Sequence, residues 1–140
     1  MTKIEATEKV FTLHEADAIL PLVRTIMHDI LIGLEEMRRL SREVRHLREE
    51  TINLKARAPR GRLAFLEGEI MSSKNKLCDL KGELLDLGAE LPTFMLSRVE
   101  FPARYEGMRA LLIWREGDEK VLNYRWPDDP VDMTRSLYKD

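Results

Sequence analysis

A single cysteine, Cys78, stands in 140 residues, so no internal disulfide can close and no thiolate pair is available for a zinc site. The fold must then rest on buried apolar surface. A chain of this length supplies that as one domain, taken here as 1–140, and a reducing cytoplasm is the expected setting. Aromatic residues are scarce at 6%, which leaves little material for a large mixed core. No apolar run approaches the roughly 20 residues a membrane span needs. The opening "MTKIEATEKVFTLHEADAIL" carries acidic residues where an export signal would have an apolar stretch and a cleavage site. Neither export nor membrane insertion is expected. A Gly-rich phosphate loop, a nucleophile elbow, a Cys-His pair and a zinc-protease helix are also missing. No catalytic residues, no metal and no cofactor are therefore assigned, and the chain is read as a non-enzyme.

Charge and leucine fill the space. With 34% charged and 44% hydrophobic residues, the composition is that of long amphipathic helices. Thr12 precedes Glu15 at the capping-box spacing, with Phe11 placed as the staple. One seam then repeats every seven residues through Ala16, Val23, Ile30, Met37, Val44 and Thr51. Its companion runs through Ile19, Ile26, Gly33, Leu40, Leu47 and Leu54. Pro21 interrupts this helix near its start, predicting a bend or a short first helix leading into a longer one. "RAPRGR" stops it, and a second seam follows in Leu63, Leu66, Ile70, Ser73, Leu77, Leu80, Leu84, Leu87 and Leu91, with Gly88 as C-terminal cap. The prediction is an antiparallel, coiled-coil-like helical hairpin over 12–91, turning near 58–61. A fold-back at Pro59 places Leu87 opposite Leu31 and leaves the first helix overhanging. A two-helix hairpin half-exposes its leucine stripe, so a homodimer formed through the hairpin and the β head is expected.

Residues 98–126 read as a three-stranded antiparallel meander: Arg98 to Arg104, a turn at "YEGM", Arg109 to Arg115, a turn at "EGDE", and Lys120 to Trp126. The fold class is therefore α+β, with an irregular tail over 127–140. If Arg104 pairs with Arg109 and Arg115 with Lys120, alternation gathers Val99, Phe101, Leu112, Trp114 and Val121 on one face. Glu100, Arg104, Arg109, Tyr124 and Trp126 gather on the other, with Leu111, Ile113 and Leu122. That second face reads first as a packed surface in which Glu100 is neutralised by Arg104 or Arg109. The alternative is a shallow pocket for an anionic or planar ligand or a metal, with the arginines as a fork and the aromatics as a floor.

Two further features bear on function. His14, His28 and His46 lie too far apart along one helix to share a metal. Between Met37 and Arg62, nine Lys or Arg face three Glu. Arg38, Arg39, Arg42 and Arg45 form an outward basic stripe that continues through Lys55, Arg57, Arg60 and Arg62. Such a tip suits salt-sensitive, sequence-blind contact with nucleic acid. The favoured reading is a solvated face laced with ion pairs such as Glu35 to Arg39 and Arg45 to Glu49, because no aromatics interleave for base stacking.

The ordered blocks "FTLHEADAILPLVR", "LGAEL", "VEFPARYEG", "LLIWREGD" and "NYRW" resemble the prokaryotic domain-of-unknown-function 2203 family over residues 11 to about 126. The resemblance places the family's acidic-Phe-Pro-small-Arg block on Glu100, Phe101, Pro102, Ala103 and Arg104, its glycine turns on Gly107 and Gly117, and its central tryptophan on Trp114. It implies a small bacterial or archaeal protein with no assigned activity. The chain departs where relatives show Trp-His and then a Gly-Arg element: here Tyr124 and Arg125 precede "WPDDPVDMTR". The role expected from all this is an interaction or scaffold module.

Overall fold

In a computed structural model of the chain, residues 9–53, 60–94 and 97–138 are described. Helices α1 (Leu13–Ala18), α2 (Leu20–Asn53) and α3 (Arg60–Asp86) are followed by strands β1 (Arg98–Tyr105), β2 (Met108–Arg115), β3 (Asn123–Arg125) and β4 (Arg135–Ser136). This is the α+β arrangement, with a helical hairpin and an antiparallel sheet. The chain divides into two compact units, Met1–Met27 with Lys81–Asp140, and His28–Leu80.

The first helix begins where its capping box dictates. The Glu15 N–H donates to Thr12 Oγ1 at 3.0 Å and the Thr12 N–H to Glu15 Oε1 at 2.9 Å. Pro21 splits the predicted long helix instead of bending it: α1 stops at Ala18 and α2 restarts at Leu20. Pro21 then lies in the first turn of α2, where its missing N–H removes no hydrogen bond.

The His28–Leu80 unit is the hairpin proper. Leu40, Val44 and Leu66 are buried together, with Leu47, Leu63 and Ile70 packed against them, all seam positions. Arg48 to Glu67 (2.8 Å) and Arg62 to Glu43 (3.2 Å) tie the two helices on the outside. Gly33 meets Leu77, whose Cδ2 would lie 3.0 Å from an added Cβ. That pairing shifts the hairpin by about two helical turns from the fold-back at Pro59. The helices run to Asn53 and from Arg60, and the connection between them, with the turn expected near 58–61, reaches into residues 54–59, which lie outside the described residues.

In the other unit, α3 ends in a Schellman motif. The Ala89 N–H reaches the Leu84 carbonyl at 3.0 Å and the Gly88 N–H the Leu85 carbonyl at 2.9 Å. Gly88 has φ +93°, and an added Cβ would meet Lys9 and Phe11 at 3.1 Å, so both backbone and space require glycine. The sheet has the order β1-β2-β3-β4, antiparallel throughout. β1 and β2 join through Glu106 (φ 52°) and Gly107 (φ 78°), the two-residue turn whose twist suits a tight hairpin. It fixes Arg104 opposite Arg109 as expected.

Pro102 sits in mid-strand because β1 is the outer edge. Glu100 exchanges two 2.8 Å backbone hydrogen bonds with Glu90 on that side, and the Pro102 carbonyl, two residues on, accepts from the Phe11 N–H at 2.7 Å. The proline's absent donor thus faces away from β2, and the edge is covered by two separate segments.

Beyond β2 the pattern departs from the expectation. Residues 116–122 form a loop: Asp118 folds back on the Arg115 N–H, and the Val121 N–H is taken by Asp17 Oδ1 at 2.8 Å instead of by a strand. Only Asn123–Arg125 pairs with β2, with Leu112 opposite Tyr124 and Ile113 opposite Asn123. This is one residue out of the predicted register. The tail, read as irregular, supplies the fourth strand, Arg135–Ser136.

Candidate functional site

A one-residue change of register moves every β3 side chain to the opposite face. The predicted group of Glu100, Arg104, Arg109, Tyr124 and Trp126 is therefore divided. Tyr124 and Trp126 project with Phe101 and Leu112, and Asn123 and Arg125 take their place beside Glu100 and Ile113. Tyr124 packs on Tyr105 with ring centroids 4.5 Å apart and meets Trp126 edge-on at 5.3 Å. Ala103 opposite Ala110 leaves room for this trio on its face.

On the Glu100 face, the carboxylate is 3% exposed and fully engaged. Oε2 accepts from Arg98 Nη2 at 2.9 Å and Arg125 Nε at 2.9 Å, and Oε1 accepts from Arg125 Nη2 at 3.0 Å. Arg125 approaches as a two-pronged fork, the strongest geometry for this pair. The bond to Glu100 holds its guanidinium above the ordinary arginine pKa. The ion pair expected with Arg104 or Arg109 is thus made with Arg98 and Arg125 instead. Arg104 and Arg109 stand opposite each other at the exposed end of the hairpin. Arg98 was legible in the sequence, since it precedes Glu100 by two and must share its face. Arg125 and Asn123 were not, because they depended on the β3 register.

The network continues through the backbone. Arg125 Nη1 donates to the Asp129 carbonyl at 3.0 Å, and the Asp129 carboxylate accepts from Arg135 Nε (2.8 Å), Arg135 Nη2 (3.1 Å) and the Trp126 N–H (2.9 Å). The Arg135 bonds, then the Trp126 N–H, hold the Asp129 carboxyl at about 2 against an ordinary 3.8. A depressed carboxyl stabilises the fold above its unfolded pKa and loses that contribution as pH falls. Wild type should therefore exceed Asp129→Asn in stability above pH 3.8, with the gap closing as pH approaches 2. Urea unfolding of both proteins across that range checks it; a gap independent of pH refutes the assignment.

The hairpin's basic stripe is largely paired. Arg39 contacts Glu36 at 2.6 Å and Glu43 at 3.5 Å, Arg38 reaches Glu35 at 3.4 Å, and Arg42 reaches Glu35 at 3.9 Å. Arg62 contacts Glu43, and Arg45 is exposed. A groove of about 400 Å³ runs beside Leu47 and Leu66 with Arg39, Arg42 and Arg62 at its rim. Lys55 and Arg57 lie outside the described residues, as does the side chain of Arg60. His14 and His28 are exposed, and His46 stands 3.6 Å from Glu50. Among the described residues no three His, Cys, Asp or Glu gather as metal ligands, and no helix is long and apolar enough to cross a membrane.

Residues 9–134 match the family described as "Uncharacterized conserved protein (DUF2203)". No curated protein and no solved structure matches the chain.

Proposed function

We propose, for a chain that belongs to the DUF2203 family of uncharacterized conserved proteins, the role of a non-enzymatic interaction module that pairs with a second copy through its helical hairpin. The observation that carries this reading is the apolar exterior of the His28–Leu80 unit. Ile32, Phe65 and Met71 are more than half exposed, and Ile52 is 75% exposed. A two-helix layer buries only the row its helices share, Leu40, Val44 and Leu66. Its remaining apolar residues call for a neighbour. Packing a second seam there would make the hairpin coiled-coil-like. The same reading places the chain in a prokaryotic cytoplasm, where the exposed Cys78 stays reduced.

The buried charges favour a structural role over catalysis. Three N–H groups occupy the two Glu100 oxygens, which leaves the carboxylate no ready proton-transfer partner. Nucleic-acid binding by the tip would have to compete with Glu35, Glu36 and Glu43 for Arg38, Arg39, Arg42 and Arg62.

Sedimentation equilibrium tests the proposal. Wild type is expected at twice the chain mass, and the double variant Ile52→Glu with Phe65→Glu at the monomer mass with an unchanged helical circular-dichroism signal. A wild type that stays monomeric at every concentration measured would sink the self-association.

A further inference from the structure

We propose that two copies of the chain pair by laying α2 of each parallel to α3 of the other, through matched rows of charge. This rests on the self-association proposed above and assigns its contact face. On α2, Glu35, Arg38, Arg42 and Arg45 follow spacings of three, four and three, which carry them along one side of the helix. On α3, Lys76, Asp79, Glu83 and Asp86 follow the same spacings. A single shift in numbering sets Glu35 against Lys76, Arg38 against Asp79, Arg42 against Glu83 and Arg45 against Asp86. Every pair is opposite in sign.

Both rows are open. All of these side chains are exposed. Arg38 and Arg42 share Glu35 at 3.4 and 3.9 Å, longer than a strong ion pair. Arg45 meets no carboxylate among the described residues, although Glu49 stands one turn on. The side chains of Lys76, Asp79, Glu83 and Asp86 likewise engage no partner among the described residues.

Direction decides where the match is made. Within one hairpin α2 and α3 run antiparallel, so the two rows of a single chain run in opposite senses. A second copy supplies the parallel sense. Laying α2 along α3 of another chain sets the two hairpins antiparallel, and a two-fold axis between them makes the same contact twice. Packing α2 on α2 in parallel register would set each arginine against its own copy, where like charges repel.

The flanks of the rows fit as well. Beside the arginines on α2 lies a hollow of about 470 Å³ lined by Leu34, Met37 and Ser41. The flank of the acidic row that turns toward it in the parallel arrangement carries Leu80, which is half-buried in the single chain. Exposed ion pairs add little strength. Their weight lies in choosing partner and orientation, and the apolar contact supplies the remainder.

Sedimentation of two charge-swapped chains tests this. One carries Arg38→Glu, Arg42→Glu and Arg45→Glu; the other carries Asp79→Lys, Glu83→Lys and Asp86→Lys. Alone, each sets like charges together in both contacts and is expected at the monomer mass. Mixed in equal amounts, they restore opposite signs in both contacts and are expected at twice the chain mass. Swapped chains that each stay dimeric alone, or a mixture that stays monomeric, overturn the charge match while a dimeric wild type leaves the self-association standing. A monomeric wild type overturns both. If a swapped chain loses its helical circular-dichroism signal, a milder variant takes its place: Arg42→Cys with Glu83→Cys in a Cys78→Ser background. A short bis-maleimide should join that chain into covalent dimers and leave the two single-cysteine chains largely unlinked; no more dimer from the pair than from the singles refutes the contact.

Discussion

Glu100→Gln is expected to cost about 3–5 kcal/mol of folding stability, the range for removing one partner of a buried ion pair. The amide keeps the shape of the carboxylate but loses its charge and one of its two acceptor oxygens. It then turns an NH2 toward guanidinium N–H groups. Three hydrogen bonds of 2.9 to 3.0 Å are at stake, and neither Arg98 nor Arg125 can swing into water from where the strands hold it. Against a total stability of about 5–15 kcal/mol, such a loss displaces a urea midpoint by a large fraction of its value. Arg104→Ala is the matched control, on the same face but exposed at the end of the hairpin. It should change stability by no more than about 0.5 kcal/mol. Replacing Arg98, Glu100 and Arg125 together with apolar residues of similar volume should recover much of what Glu100→Gln loses, because no charge is then left buried alone. If Glu100→Gln and Arg104→Ala prove equally mild, the buried network is not what holds this face together.

The difference between those two arginines and the pair that binds Glu100 marks the limit of the sequence reading. Alternation along a strand is local, so Arg98 and Glu100 had to share a face wherever β1 lay. The β1-β2 pairing was also legible, because a two-residue turn at Glu106 and Gly107 leaves one register. The β2-β3 pairing was set from afar. Asp17, in α1, takes the Val121 N–H, and Arg24, in α2, reaches the carbonyls of Asp118 and Glu119. These contacts hold the connecting loop in place and start β3 one residue out of phase. No window of sequence around "EGDEKVLNYRW" contains Asp17 or Arg24, and so Tyr124 and Arg125 exchanged faces.

The helices were legible for the opposite reason. Caps, seams and glycine stops are short-range signals, and Thr12, Glu15 and Gly88 behave as their spacing required. The seam residues Leu40, Val44 and Leu66 form the interior of the hairpin unit. The tail was misread because a two-residue strand has no periodicity to detect. Arg135–Ser136 pairs where the Arg135 bonds to Asp129 and the Leu137 N–H bond to the Leu122 carbonyl hold it. The charge excess of the basic tip is real within residues 37–62, and the ion-paired face favoured for it draws on carboxylates beyond that window, because Glu35, Glu36 and Glu67 contact its arginines.

Trp114→Ala is the second substitution expected to cost about 3–5 kcal/mol, this time through a cavity. Trp114 is the largest of the fully buried side chains, 1% exposed, and stands opposite Val99 in the β1-β2 ladder. It also has a polar task. Its indole Nε1 donates to the Asp118 carbonyl at 2.8 Å, the same oxygen that Arg24 Nη2 approaches at 3.3 Å. The ring is therefore both core filling and an anchor for the loop that sets the β3 register. Trp114→Phe separates the two roles: it retains most of the apolar volume and deletes the donor, and should cost about 1–2 kcal/mol, the worth of one hydrogen bond plus some lost packing. Hydrogen exchange at the Val121 amide, held by Asp17 Oδ1, reads the anchor directly. Trp114→Phe should speed that exchange more than it speeds exchange within β1. Equal acceleration in both places would mean that Trp114 acts through volume alone and that Asp17 and Arg24 suffice to seat the loop.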